Sequence, residues 1–156
     1  MVNLTKGDIS RYDAASSVAS TDTIPVATGT VLKRATPAQV VNAAGGFVLR
    51  GRIDDVSTAG SYWVVSPVAG TISAIYSVIN GAIATADAAL TFEIGGTAVT
   101  NGAITIANSG SAAGDVDSST PTAANTVTAG QAIELITDGA STNTVIAEIS
   151  IVIDAS

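Results

Sequence analysis

The chain has no cysteine and no histidine. The first absence excludes disulfide cross-links, and the two together exclude a zinc site of the usual Cys/His kind. They also strip the familiar catalytic triads of their base and of their thiol. With lysine confined to Lys6 and Lys33, no activated Ser or Thr can be drawn either. Aromatic residues make up only 4% of the chain, with one tryptophan, Trp63, against 47% apolar residues overall. A core must therefore be built from Val, Ile, Leu and Ala, and a lone Trp63 in such an aliphatic setting is expected to be part of it. No apolar run approaches the ~20 residues that a membrane-spanning helix needs. Met1 to Asp8 lacks the hydrophobic stretch of a secretory signal, so the Asn3-Leu4-Thr5 glycosylation match is read as chance. These absences lead us to expect a soluble protein made in the cytosol, with no membrane partner and no cofactor.

Basic residues are few and all lie at one end. Lys6, Arg11, Lys33, Arg34, Arg50 and Arg52 are the six, set against Asp8, Asp13 and Asp22, so the first 52 residues carry net +3. The other 104 residues hold ten acids and no base, and the whole chain has a net charge of −7. So acidic a body argues against a nucleic-acid partner, because phosphate contacts need Lys and Arg. Charge asymmetry of this kind marks parts with different neighbours.

At 156 residues the chain has room for one domain and an appendage. Residues 1–47 read as the appendage. Ala14 to Thr23 is small and hydroxylated, as in an extended arm. Ile24-Pro25-Val26 is a short extended piece, since Pro25 disfavours helix at Ile24. One short helix is predicted over 36–44: Thr36 caps it, Pro37 suits the first helical position, Gln39 completes a capping box, and Gly45-Gly46 stops it. About two turns of helix are too short to stand alone. Its face of Val40, Val41 and Ala44 must dock on something.

Residues 48–156 read as all-β. Candidate strands run over 47–53, 62–66, 71–79, 88–94, 97–100, 103–107, 125–127, 131–137 and 145–153, with a long polar loop over 108–124. In Ala88 to Ile94, Leu90, Phe92 and Ile94 alternate with Thr91 and Glu93, and Gly95-Gly96 then predicts a tight hairpin turn. The uneven apolar spacing of Thr71 to Ile79 predicts a bulge or burial on both faces. Turn dipeptides at Asn80-Gly81, Asn101-Gly102 and Asp138-Gly139 separate the strands. Short antiparallel strands at this spacing imply an antiparallel β-sandwich of jelly-roll type.

Motifs for chemistry are thin. Glu93, Glu134 and Glu148 could supply a carboxylate pair for glycoside hydrolysis, but all three sit opposite the apolar strand faces and are expected in solvent. Asp54-Asp55 and Asp115-Val116-Asp117 offer oxygen ligands of the calcium kind without following the EF-hand pattern, and are read as loop caps. Gly110 to Gly114 lacks the Lys of a phosphate-binding loop. The expectation is no enzyme activity, no metal and no catalytic residue.

Asp22-Thr-Ile-Pro-Val-Ala-Thr-Gly-Thr-Val-Leu-Lys-Arg-Ala-Thr-Pro-Ala-Gln-Val-Val41 resembles a segment found near the N-termini of tailed-bacteriophage virion proteins. Val65-Ser-Pro-Val-Ala-Gly-Thr-Ile72 through Thr91-Phe-Glu-Ile-Gly-Gly96 is similar to small phage capsid decoration (cement) and head-fibre proteins. The resemblance implies a jelly roll displayed on the outer surface of a virion, commonly a homotrimer, attached to the major capsid protein through its N-terminal arm. Candidate attachment residues are then Lys6, Arg11, Lys33, Arg34, Val40 and Val41. The alternative from a different class is a tail-fibre or receptor-binding module recognising host surface glycan.

Overall fold

A computed structural model of the chain describes residues 24–28, 31–36, 39–40 and 46–156. It divides into two compact units, Met1–Val40 and Val41–Ser156.

In the first unit, β1 (Ile24–Thr28) pairs antiparallel with β2 (Val31–Ala35), Ile24 opposite Ala35 and Thr28 opposite Val31. The short extended piece read at Ile24-Pro25-Val26 lies in β1, and the extended arm read over Ala14 to Thr23 lies outside the described residues. Only two residues separate the strands, and so short a link turns the chain back on itself. Pro25 is tolerated because a two-stranded ribbon consists of edges, where a missing N–H leaves no interior ladder broken. After β2 the expected capping box is formed. Thr36 Oγ1 accepts the Gln39 N–H at 3.2 Å, and Gln39 Oε1 accepts the Thr36 N–H at 2.8 Å. Val40 N–H donates to the Thr36 carbonyl at 3.1 Å, a first helical bond. The rest of the helix predicted over 36–44 lies outside the described residues.

The second unit is β-sandwich-like, with two antiparallel sheets. Its strands are β3 (Phe47–Ile53), β4 (Gly60–Val65), β5 (Gly70–Ile79), β6 (Ala88–Ile94), β7 (Thr97–Ala98), β8 (Ile104–Ile106), β9 (Val116–Ser119), β10 (Thr126–Val127), β11 (Ala132–Thr137) and β12 (Ala147–Ala155). One sheet runs β3-β12-β5, with β9 and β10 sharing the far edge of β5. The other runs β4-β11-β6, with β7 and β8 sharing the far edge of β6. The strands that come late in the chain, β11 and β12, thus occupy the middle of each sheet.

The core between the sheets is aliphatic, as the composition requires. Ile53, Ile75, Leu90, Leu135 and Ile151 are completely buried, and Phe92 supplies the one aromatic ring among the largest fully buried side chains. In β6 every second residue is buried, the alternation read from Leu90, Phe92 and Ile94. The predicted bulge is present in β5: Val152 stands opposite Ala74 but Ile153 opposite Ile72, leaving Ser73 as the extra residue. Ile72 and Ile75, three apart, therefore both reach the core. A further correction concerns the predicted loop over 108–124, which contains β9. Its sequence, Val-Asp-Ser-Ser, has no oily alternation; backbone pairing to β5 makes it a strand.

Candidate functional site

Trp63 is not in the core. It is 63% exposed, on the outer face of the edge strand β4. The reason lies in the phase of the strand. Tyr62 and Val64 pack inward against the core, so Trp63 and Val65 must point out, and Val65 is 57% exposed. Because both phases of this strand are apolar, its sequence alone cannot say which one faces the core.

The exposed indole heads a row across three strands. Glu134 of β11 stands directly opposite Trp63 on one side and Glu93 of β6 on the other. Both carboxylates face outward because Ile133 and Leu135 in β11, and Phe92 and Ile94 in β6, fill the core. Among the described residues neither glutamate forms an ion pair; the ion pairs there are Arg52 with Asp54 at 2.7 Å and with Glu148 at 3.4 Å. The sequence expectation of outward-facing Glu93, Glu134 and Glu148 therefore holds, with Glu93 and Glu134 partly covered and Glu148 exposed.

The turn between β6 and β7 lies at one end of this row. Gly95 (φ 59°) and Gly96 (φ 77°) link Ile94 to its partner Thr97 as a two-residue hairpin. Both positive φ angles mark a type I′ turn, which glycine enters without strain. Having no side chains, the pair leaves that end open. Gln131 stands nearby with its Oε1 already accepting the Thr128 N–H at 2.9 Å and the Thr128 hydroxyl at 3.2 Å. Among the described residues its Nε2 donates to no acceptor. Trp63, Glu93, Gly95, Gly96, Gln131 and Glu134, with Ala132, line a shallow depression of about 290 Å³.

Of the two aspartate pairs, Asp55 and Asp115 accept local N–H groups as loop caps, whereas Asp54 is ion-paired and Asp117 lies in β9. Asp54 is bound by Arg52. Asp55 accepts from Ser57 Oγ at 2.7 Å, Ser57 N at 2.9 Å and Thr58 Oγ1 at 3.0 Å. These bonds, the Ser57 hydroxyl foremost, hold the Asp55 carboxyl below the usual carboxylate range. Asp115 accepts the Ala112 N–H at 2.7 Å. Asp117 in β9 is pushed the other way: burial raises its pKa, and the neighbouring Asp115 charge adds to the rise. Asp115 and Asp117 line a second depression of about 190 Å³ beside Ser109 and Ser111. Among the described residues no three acidic side chains converge as a metal centre would require, and no helix is long and apolar enough to cross a membrane.

Of the candidate attachment residues, Lys33 and Arg34 lie in β2, opposite Val26 and Pro25. Val40 is exposed beside the capping box. Lys6, Arg11 and Val41 lie outside the described residues.

No protein-family model, curated protein or solved structure matches the chain.

Proposed function

We propose that the chain is a non-enzymatic structural protein of a phage virion, seated on the outer surface of the capsid. Its body is a jelly roll that faces outward, and its N-terminal arm binds the major capsid protein. Homotrimerisation adds buried apolar area to a body poor in aromatics. The observation that carries the reading is the division of charge: every basic residue falls in the first 52, and every residue after them is acidic or neutral. A basic arm with Lys6, Arg11, Lys33 and Arg34 in its sequence, and Val40 exposed beside the capping box with Val41 next in the chain, fits an acidic groove on a partner. The acidic body is repelled by the same groove.

The strand order supports the jelly-roll part. From β3 to β6 successive strands alternate between the sheets, β7 and β8 then stay beside β6 while β9 and β10 return to the edge of β5, and β11 and β12 insert between β4 and β6 and between β3 and β5. Two interleaved Greek keys have that order.

Two measurements test the reading. A chain lacking residues 1–47 is expected to fold and to fail to co-sediment with capsids; retained binding would remove the arm from the mechanism. Electron microscopy of phage labelled with antibody against residues 53–156 is expected to show regular label over the head. Label confined to the tail tip would assign the body to a tail fibre instead.

A further inference from the structure

We propose that the Trp63 depression is a binding site for a neutral sugar ring. The inference goes beyond the virion reading and does not depend on it. A polar molecule with an apolar face is what the site fits. The exposed indole offers a flat surface on which the C–H face of a pyranose stacks. Glu134, directly beside it, and Glu93, one strand further, offer carboxylate oxygens with no cation competing for them among the described residues. Hydroxyls donating to carboxylates make charge-assisted bonds, roughly twice as strong as neutral ones. Gln131 offers the complementary donor, because its Oε1 is held by Thr128 and its Nε2 is not.

This mixture selects the ligand. A Lys or Arg side chain satisfies the carboxylates and the indole but has no acceptor for Gln131. An acidic or sulfated sugar is repelled by Glu93 and Glu134. A neutral sugar has hydroxyls that both donate and accept, and it carries the apolar face as well. The depression of about 290 Å³ lies at the small end of ligand sites. One ring with its neighbours trailing into solvent fits it, through the open end at Gly95 and Gly96.

Trp63 is the one tryptophan in the chain, so its fluorescence reports on this site alone. The full chain is titrated with maltohexaose, cellohexaose and chitohexaose, and in parallel with dextran sulfate and oligolysine. At least one neutral hexasaccharide is expected to shift the Trp63 emission saturably, with a dissociation constant of roughly millimolar order. Glu134→Ala, whose fold is checked by circular dichroism, is expected to weaken that binding about tenfold, in keeping with the loss of a charged hydrogen bond. Dextran sulfate is expected to leave the emission unchanged. No shift from any neutral sugar up to about 20 mM, beyond the millimolar range, overturns the proposal. So does a shift produced by oligolysine alone, or undiminished sugar binding by Glu134→Ala.

Discussion

Glu134 and Glu93 face each other across β11 and β6 as a directly opposed pair of like charges on one sheet face. Opposed pairs of this kind are destabilising, by roughly 0.2–1 kcal/mol. Glu134→Gln keeps the shape of the side chain and removes the repulsion. It is expected to raise unfolding stability by an amount in that range, measured by urea denaturation at low salt. The gain should shrink when the melt is repeated at high ionic strength, because partly exposed charges are screened.

Acid stability should carry two opposed contributions. Asp55 is held below its ordinary value of 3.8, so its stabilising contribution is present above that pH and is lost as pH falls through the depressed value. Asp117 is raised above 3.8, so its charged form opposes folding. As pH falls through its raised value toward 3.8 the protein gains stability. Thermal melts across the acid range should therefore show a shallow rise before the fall. Asp117→Asn is expected to abolish the rise and to be the more stable protein at neutral pH. Asp55→Asn is expected to be less stable than the parent at neutral pH, with the difference closing below 3.8.

Two buried hydroxyls have opposite roles. Thr137 Oγ1 donates to the Val56 carbonyl at 2.9 Å within the core, whereas Ser77 Oγ, equally buried, makes no hydrogen bond among the described residues. Thr137→Val strands a buried carbonyl and should cost about 1–3 kcal/mol. Ser77→Ala removes an unsatisfied group and should be neutral or stabilising by up to about 1 kcal/mol. Chemical denaturation of the two variants side by side checks the signs.

The Asp138-Gly139 turn has no room for a side chain. Gly139 has φ 66°, and a Cβ there would collide with the backbone of Ala59. Gly139→Ala combines left-handed strain with overpacking and should cost about 2–4 kcal/mol. Gly96→Ala is the control. It has a similar φ of 77° but open space around it, so only the strain of about 1 kcal/mol remains. A thermal-melt difference between the two variants measures the collision alone.

Strands whose pattern comes from burial on one side were readable in advance. β3 and β6 begin and end where the apolar alternation does, and the uneven apolar spacing of Thr71 to Ile79 implied a bulge or burial on both faces, of which the bulge is present, at Ser73. Elements defined by backbone pairing were not. β9 is polar and lies at an edge, and β1 with β2 has no amphipathic period. Trp63 was misplaced because Tyr62, Trp63, Val64 and Val65 are apolar in both phases, so nothing local sets the register. Glu93 and Glu134 were each recognisable as outward residues. Their meeting with Trp63 depends on the order β4-β11-β6, which joins segments far apart in sequence.

That order bears on how the body is assembled. β12 pairs with β3 along Phe47–Ile53 and with β5 along Gly70–Ile79, so it bridges two strands that do not touch without it. Until it arrives, the sheet is a slot with two open rows of N–H and C=O groups above an oily floor. Such a slot accepts any matching strand, including β12 of another copy. A chain truncated before Ala147 should be rescued by a peptide spanning Ala147–Ala155, which carries the pairing partners of both β3 and β5.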